Sequence, residues 1–358
     1  MIARIAVVGA GKFGEMHLRA LTQMEREGGA RVVGVADIDP GLLARRRERY
    51  GVAAFADWRE MIASTQPDAV TVVTPDALHG EIARWALKAG KHVLVEKPLD
   101  TAVDGCRELV RAAEAGGLLL QVDFHKRYDP YHRELRDAAA RGDLGDIEYG
   151  YAYMEDRIEV PRDWFPGWAP SSSPAWFLGV HMYDLIRWIT GAEARSVSAT
   201  GVKKKLAGMG IDTYDSIQAK IVLESGASFT VDTCWILPDS HEAIVNQGIR
   251  VVGSEGMMEV DTQDRGARAC LKGVGMRTPN LGFFQEVLDR HGCTAHKGYG
   301  IDSIQDFARN VNHLLGGGSL KDLEGRYASG HDGLAASMIA VAVHRSVAAG
   351  GAVVAVEE

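Results

Sequence analysis

Short apolar runs alternate with helical patterns through the first third of the chain. The runs are rich in Val, Leu and Ala, as expected of strands buried on both faces of a parallel sheet. Strands are predicted at 4–8, 31–36, 52–55, 69–73, 91–95 and 118–122, and helices at 12–26, 41–50, 58–64, 76–89 and 101–115. Because strand and helix repeat in turn, we predict an α/β domain over residues 1–122, a Rossmann-type doubly wound parallel sheet with right-handed crossovers.

The pattern changes near Asp123, where the strands become longer and alternate between apolar and polar residues. Strands are predicted at 145–156, 194–205, 212–223, 227–237, 248–253, 256–261 and 267–272, and helices at 128–140, 180–190, 301–315 and 332–349. Alternation is typical of strands with one buried face, so we predict an α+β domain over residues 123–358 with one large, mostly antiparallel open sheet. The last long helix is a candidate to pack back on the first domain.

Length and composition are those of an ordinary globular protein of two domains. The chain has 358 residues, 46% of them hydrophobic, and a formal net charge of -8, which argues against a nucleic-acid surface. No apolar stretch reaches the roughly 18 residues that a membrane span needs, and the first residues form a strand pattern instead of a signal peptide. The four cysteines are scattered without a CxxC pair, so we expect a cytoplasmic protein without a zinc site.

A glycine-rich turn joins the first strand to the first helix and reads GAGKFG. Gly9 permits a tight turn, Gly11 lets a pyrophosphate approach the backbone, and Gly14 lets the helix lie close to the strand. Lys12 and Phe13 complete the loop. The free N–H groups and the dipole of the helix start favour an anion, so this stretch predicts a dinucleotide site.

Asp37 ends the second strand, 23 residues after Gly14. A carboxylate there can accept both ribose hydroxyls of an adenosine and would repel a 2′-phosphate, which favours NAD over NADP. The alternative is that Asp37 only caps the helix that starts near Pro40. Further along that helix lie three arginines that form either a solvated helix face or a 2′-phosphate site: Arg45, Arg46 and Arg47.

Ligands of doubly wound sheets bind beyond the carboxyl ends of the strands. The fourth strand is followed by three predicted cofactor contacts, namely Thr74, Pro75 and His79, and the fifth strand by Glu96 and Lys97. The Lys97 ammonium can donate to a substrate hydroxyl and tune its acidity. The alternative is that it pairs with Glu96.

His181 and Asp184 lie three residues apart at the start of an apolar helix, on one helix face. A histidine can take a hydroxyl proton while hydride leaves the same carbon, and a nearby carboxylate can orient the ring. The alternative is a satisfied core histidine, which is common on apolar helices.

The remaining candidates are aromatic and basic residues near the predicted domain boundary and the first long strand. Trp164 belongs to a Pro/Ser-rich segment with three tryptophans, whose rings suit sugar C–H faces or anchor the loop to the core. Arg127, after the sixth strand, can bind a substrate oxygen or carboxylate, and His125 is a further candidate. His291 and His296 show no metal-ligand pattern with carboxylates, and we expect no metal.

Taken together, these motifs resemble one family, that of glucose–fructose oxidoreductase, inositol dehydrogenase and MocA. The similar stretches are GAGKFG, Asp37, TPDALH at 74–79, EKP at 96–98, GVHMYD at 179–184 and the segment 332–354. The resemblance implies an NAD(P)-dependent dehydrogenase that oxidises a secondary hydroxyl of a sugar, cyclitol or sugar acid, with the nicotinamide between the two domains. It also implies a cis peptide bond before Pro98 and a homodimer or homotetramer built through the open sheet face.

The resemblance assigns roles to individual residues of this chain. Lys97 orients and activates the substrate hydroxyl, His181 is the acid/base and Asp184 supports the site. The substrate face of the sheet is implied near three residues of the first long strand: Tyr153, Asp156 and Arg157. Period-two alternation allows only some of them to face inwards.

One position departs from the family pattern. Inositol-dehydrogenase-like members carry an aspartate four residues before the histidine, where this chain has Phe177. A phenyl ring cannot accept a proton. This departure keeps open a catalytically silent regulator that binds dinucleotide and a partner protein. A glycosidase that uses NAD for transient oxidation followed by elimination also stays open, since related folds do this and no motif here excludes it.

Overall fold

The computed structural model describes residues 2–261, 267–289 and 292–357, and His291 therefore lies outside the described residues. The chain divides into two compact units. The first unit comprises the chain up to Tyr128 together with Gly282–Leu334, and the second comprises Asp129–Leu281 together with the chain from Ala335. The predicted boundary lies six residues before this division. The segment Gly282–Leu334, which we predicted in the second domain, groups with the first unit.

The elements are numbered in chain order. The strands are β1 Arg4–Val8, β2 Arg31–Ala36, β3 Ala54–Phe55, β4 Ala69–Val72, β5 His92–Val95, β6 Leu120–Val122, β7 Ile147–Arg157, β8 Ala194–Val202, β9 Ser216–Leu223, β10 Ser228–Leu237, β11 Val245–Gly253, β12 Met257–Asp261, β13 Ala269–Leu271, β14 Gly275–Arg277, β15 Gln285–Leu288, β16 Thr294–Lys297 and β17 Val354–Ala355. The α-helices are α1 Lys12–Arg26, α2 Pro40–Tyr50, α3 Trp58–Thr65, α4 His79–Lys88, α5 Val103–Gly116, α6 Pro130–Arg141, α7 Val180–Thr190, α8 Lys205–Gly208, α9 Tyr299–Leu315 and α10 Gly330–Ala348.

The first unit contains the predicted parallel sheet, in the order β3-β2-β1-β4-β5-β6. All six predicted strands are present, with ends displaced by two residues at most. This order places the carboxyl ends of β1 and β4 side by side at the point where the strand order reverses, which is where doubly wound folds bind dinucleotides. The predicted Rossmann fold is confirmed.

Helix α9 belongs to the first unit although it is distant in sequence. The Ala3 N–H donates to Asn312 Oδ1 at 2.7 Å, and the Asn312 amide donates to the Gly29 carbonyl at 2.7 Å. Ile304 and Phe307 are fully buried in the core formed with β1 and α1. The apolar face of α9 is thus covered by elements from the start of the chain.

The second unit is built on a seven-stranded sheet in the order β12-β11-β7-β10-β9-β8-β17. Its described neighbours pair antiparallel except β7 and β10, which are parallel. Along β7 burial alternates: Gly150 and Ala152 are buried, whereas Tyr149 and Tyr151 are 51% and 41% exposed. The sheet therefore has one covered face and one exposed face, and the predicted mostly antiparallel open sheet is confirmed.

Three predicted strands of this unit were wrong in extent or partner. The strand 194–205 ends at Val202, because the Asp215 carboxylate accepts the backbone N–H groups of residues 204–206 at 2.7–2.8 Å and turns the chain into α8. The same turn delays the start of the next strand to Ser216. The strand predicted at 267–272 pairs with β14 in a separate two-stranded sheet, not with the large sheet.

Among the described ranges, no helix is both long and apolar enough to span a bilayer. The four cysteines carry free thiols.

Candidate active site

The glycine-rich turn has the shape that each of its glycines requires. Gly9 has a φ of +106°, and a Cβ there would lie 2.1 Å from the Val73 carbonyl oxygen. At Gly14 a Cβ would lie 2.1 Å from the Gly9 oxygen, so the helix can approach the loop only without a side chain. A Cβ at Gly11 would meet no atom within 4 Å. The turn thus packs tightly at Gly9 and Gly14 and leaves space beside Gly11, as a bound pyrophosphate requires.

The start of α1 carries no side-chain cap, and an uncapped helix start of this kind favours an anion. Lys12 is exposed at this start, and Phe13 is half-buried against the hydrophobic core. Phe13 is therefore expected to serve the loop through its packing and its backbone.

Asp37 supports the turn and is not the cap of α2. Its Oδ2 accepts the Ala10 N–H at 2.6 Å, and its Oδ1 accepts the Asp39 N–H at 2.9 Å. Asp39 itself caps the helix, because its side chain accepts the N–H groups of the first turn. The capping alternative for Asp37 is thereby excluded, and the carboxylate stands beside the turn where the ribose of a dinucleotide lies in such folds.

Of Arg45, Arg46 and Arg47 on α2, Arg46 is buried and the other two are exposed. Arg46 donates through Nε to the Ala10 carbonyl at 3.0 Å, and its Nη1 pairs with Glu15 at 2.7 Å. Neither predicted role, a solvated helix face or a 2′-phosphate site, fits Arg46, because its guanidinium binds the glycine-rich turn and Glu15. Of these three arginines, Arg45 and Arg47 are the solvated ones.

His79 connects the two loops that follow β4 and β5. Its Nδ1 lies 2.6 Å from the Pro98 carbonyl oxygen, and its Nε2 lies 2.8 Å from the Thr74 carbonyl oxygen. The Lys97–Pro98 bond is cis, as the family resemblance implied. A direct cofactor contact by this ring would have to displace one of the two bonds, so His79 is placed as a support for the loop carrying Thr74 and Pro75.

Glu96 and Lys97 follow β5 and are both buried. Glu96 Oε2 accepts the backbone N–H of Lys97 at 3.3 Å, and Glu96 Oε1 lies 3.4 Å from His17 Nε2. The carboxylate is therefore turned towards the inside of the first unit, although we predicted a cofactor contact for it.

The imidazole of His17 also faces Asp123, whose Oδ2 lies 3.6 Å from the same Nε2. Burial opposes the charge of His17, but its hydrogen bonds and charge interactions with Asp123 and Glu96 outweigh burial and raise the pKa to about 9. Burial likewise opposes ionisation of Asp123, yet the His17 hydrogen bond and the charges of His125 and His17 lower its pKa. Sequence reasoning missed this group, although a histidine three residues after Gly14 and acids at two adjacent strand ends were a readable signal.

His17, Glu96 and Asp123 are residue types that also bind metals, and their ligand atoms lie within 4.8 Å of one another. They are the one such grouping among residues 2–261, 267–289 and 292–357. Their distances and charges are those of an imidazolium between two carboxylates. The absence of a metal stays a prediction.

The two basic candidates after β6 contact other residues of the first unit. Arg127 pairs with Asp332 at 2.9 Å, with only 9% of its side chain exposed. Burial opposes ionisation of Asp332, but the Arg127 charge and hydrogen bonds lower its pKa. The His125 ring stacks on Tyr299 with centroids 5.8 Å apart and packs at a tilt against Phe283 with centroids 5.2 Å apart. The structure gives both residues structural partners within this unit, and their substrate contacts stay predictions.

In the second unit, His181 lies in the first turn of α7, Asp184 lies three residues further along the helix, and both are buried. A π-helical turn, Ala175–Gly179, leads into this helix. At Gly179 a Cβ would lie 2.6 Å from the Tyr183 hydroxyl, so the entry into the helix needs a residue without a side chain. The predicted helix and the shared face of the two polar residues are confirmed.

Phe177, the departure from the family pattern, packs into an aromatic cluster. Its ring centroid lies 5.7 Å from Phe165, 5.6 Å from Trp168 and 5.7 Å from Trp235. Trp164 is half-buried and meets Phe165 edge-on at 6.3 Å. The loop containing the tryptophans is thus anchored by aromatic packing, one of the two roles considered for it.

The three candidates on β7 do not share one face. Asp156 belongs to the covered face with Ala152, and the Arg157 guanidinium, also buried, donates to the His241 carbonyl. Tyr153 lies on the exposed face and stacks on Tyr151 with centroids 5.7 Å apart. Alternation thus separates Tyr153 from Asp156, and a substrate on the covered face would not contact this tyrosine.

Comparison with known proteins agrees with the fold and the motifs. The model of the oxidoreductase family with an NAD-binding Rossmann fold matches residues 3–124, and the model of the GFO/IDH/MocA C-terminal domain matches residues 132–259. The chain is 30% identical over 261 residues to inositol 2-dehydrogenase of Rubrobacter xylanophilus, covering 72% of this chain and 70% of that protein. It is 27% identical over 354 residues to inositol 2-dehydrogenase of Rhizobium meliloti, covering 97% and 98%.

Among solved structures, GenD2 from gentamicin A biosynthesis in complex with NAD superposes with a TM-score of 0.82 at 24% identity, covering 100% of this chain and 97% of the other. At that identity the likeness establishes the fold. Together with the two family models and the relatives, it shows that the chain belongs to the GFO/IDH/MocA family of oxidoreductases.

Proposed function

We propose that this protein is an NAD-dependent dehydrogenase that oxidises a secondary hydroxyl of a cyclitol, with sugars and sugar acids as the wider substrate class. The observation that carries the proposal is the open space beside Gly11 together with the buried Lys97 at the end of β5. The first provides for a dinucleotide, and the second provides an ammonium at the strand ends where such ligands react. The similar proteins of R. xylanophilus and R. meliloti are named inositol 2-dehydrogenases.

The residues fit NAD. The turn at Gly9, Gly11 and Gly14 would receive the pyrophosphate, and Asp37 would accept the ribose hydroxyls. When bound, the nicotinamide supplies a hydride acceptor. The exposed Arg45 and Arg47 are the groups that would serve a 2′-phosphate, and the Asp37 carboxylate would repel it.

The chemistry assigned to this chain is proton handling and orientation. Lys97 would donate a hydrogen bond to the reacting hydroxyl and stabilise the oxygen as it loses its proton. His181 would accept that proton, with Asp184, one helical turn away, orienting the ring. In the direction of carbonyl reduction, His181 would return the proton to the same oxygen.

We also propose that copies of the chain associate through the exposed sheet face that carries Tyr149 and Tyr151. On this face the Tyr151 hydroxyl donates to Asp232 at 2.9 Å and the Gln218 amide donates to the same carboxylate at 3.1 Å. An ordered face with exposed aromatic rings is typical of an interface.

Steady-state NADH formation across cyclitols, aldoses and uronic acids tests the proposal. We expect turnover with at least one inositol and a lower KM for NAD than for NADP. Binding of NAD without turnover on any member of the panel would contradict it.

The second candidate function is a regulator that binds dinucleotide without turnover, favoured by Phe177 at a position four residues before His181. A pull-down with NAD present and absent separates the two. A stable partner whose capture depends on NAD, from a protein without turnover, would support the regulator. Cleavage of a chromogenic glycoside without net NADH would instead indicate the glycosidase.

A further inference from the structure

Three buried titratable residues, His17, Glu96 and Asp123, form a group that contacts the backbone of Lys97, the lysine that the proposed function uses. His17 on α1 is 0% exposed, Glu96 after β5 is 6% exposed and Asp123 after β6 is 2% exposed. One imidazole nitrogen, Nε2, faces both carboxylates, at 3.4 Å from Glu96 and 3.6 Å from Asp123. Three elements are therefore tied together at one point of the first unit.

The group is connected to the backbone that carries Lys97. The second oxygen of Glu96 accepts the Lys97 N–H at 3.3 Å, while the Glu96 N–H donates to the Val72 carbonyl at 2.9 Å. The Asp123 N–H donates to the Val95 carbonyl at 2.8 Å, one residue before Glu96. A movement of the His17 ring therefore acts on the carboxyl ends of β5 and β6 through these hydrogen bonds and the His17–Asp123 ion pair.

Two buried carboxylates whose oxygens lie within 4.8 Å of each other repel strongly unless a cation lies near both. The His17 imidazole lies in that position, facing both acids, while the His125 charge and the Ser303 side chain also favour the ionised form of Asp123. With His17 uncharged, the two acids would separate or take up a proton, and the Glu96 oxygen that holds the Lys97 N–H would move. The elevated pKa of His17 agrees with a ring that stays charged at neutral pH.

We propose that His17 is a positioning residue: as an imidazolium shared by Glu96 and Asp123, it fixes the strand ends from which Lys97 reaches the substrate. This inference rests on the proposed function for the role of Lys97. His17 does not contact the substrate, and its effect passes through Glu96 to the Lys97 backbone. Misplacement of a catalytic group by about 1 Å can cost as much as 100-fold in rate.

The test uses H17Q, which keeps a donor and removes the charge, with H331Q as the matched control. His331 also pairs with a glutamate, Glu114 at 2.8 Å, but that pair is exposed. We expect H17Q to lower kcat by roughly 10- to 100-fold, with the Kd for NAD changed less than about twofold and H331Q like the wild type. In a K97M background, H17Q should change kcat less than about twofold, because the group it positions is already absent.

A second readout does not depend on turnover. Lysines are labelled by reductive ¹³C-methylation, and the Lys97 resonance is assigned from its loss in K97M. We expect H17Q to displace this resonance and H331Q to leave it unchanged. If the wild type shows no turnover and the H17Q displacement is still seen, the positioning holds and the dehydrogenase proposal fails.

Three results would overturn the positioning role. One is an H17Q protein with wild-type kcat and an unmoved Lys97 resonance. Another is an equal loss of kcat by H17Q in the wild-type and K97M backgrounds, which would indicate a general loss of folded structure. The third is a stoichiometric metal in the purified protein that disappears in H17Q.

Discussion

The two units hold their candidate catalytic residues by different physical means. In the first unit, charged groups are buried in pairs and triads: His17 with Glu96 and Asp123, and Arg127 with Asp332. In the second unit, the turn before His181 is surrounded by aromatic rings, with Phe177 at their centre. The stability of a buried charge network changes with pH and with the loss of a charged partner, whereas the stability of packed rings changes with side-chain volume. The units should therefore differ in which changes damage them.

The largest effect is expected from K97M. Loss of the ammonium that stabilises the reacting oxygen should lower kcat by about 10³-fold, while the Kd for NAD stays within about threefold. Lys88 is an exposed lysine of the same unit, on α4, and K88M serves as the control. A K97M enzyme with more than a tenth of the wild-type kcat would remove Lys97 from the chemistry.

Truncation of a side chain in the aromatic cluster should lower the free energy of unfolding and should not act on the chemical step. Phe177 is 9% exposed, so F177A is expected to lower the free energy of unfolding by about 3 kcal/mol. The loss should be the same at pH 6 and pH 9, since the ring contacts are uncharged. Urea titrations at the two pH values measure it, with F177L as the milder companion. A strongly pH-dependent loss would break the contrast between the units.

The glycine-rich turn offers a matched pair of substitutions. G11V should weaken NAD binding by about 100-fold with an unchanged Tm, because a side chain there enters space that only a ligand would occupy. G9A should lower Tm, because its Cβ would clash with the Val73 carbonyl. Fluorescence titration and thermal melts check both. Equal NAD affinity in G11V and wild type would place the dinucleotide elsewhere.

The smallest effect concerns pH and the His17 group. Because folding raises the pKa of His17 from 6.5 to about 9, its stabilisation is complete below about pH 6.5 and is lost as pH rises through 9. Between pH 7 and 9, the stability difference between wild type and H17Q should shrink by at most about 1.4 kcal/mol per pH unit. A difference that stays constant over this range would show that His17 is uncharged in the folded protein.

The strands and helices near the glycine motif were predictable because their signals are local. The runs of β1 and β4 are continuous and apolar, and the ends of α1 and β2 were predicted to the residue. The placement of α9 was not predictable, since it depends on contacts such as that of Ala3 with Asn312, 309 residues apart. Periodicity indicated the helix but not the unit that covers its apolar face.

The site residues divide in the same way. Gly9, Gly11 and Gly14 were readable because backbone shape dictates them, and the shared face of His181 and Asp184 follows from helical spacing. The partners of the charged residues could not be predicted from the sequence. The substrate contact of Arg127 stays a prediction, but its partner inside the first unit, Asp332, lies 205 positions away in sequence and was not foreseen. Burial of a charge is decided by such long-range pairs, which spacing along the chain does not reveal.

The central claim is that Lys97 and His181 act on the same hydroxyl, and a crystal structure with NADH and an inositol tests it most directly. The account predicts that Lys97 Nζ and His181 Nε2 both lie within about 3.2 Å of one substrate oxygen. A complex in which only one of them, or neither, reaches the oxygen on the carbon facing the nicotinamide would contradict it.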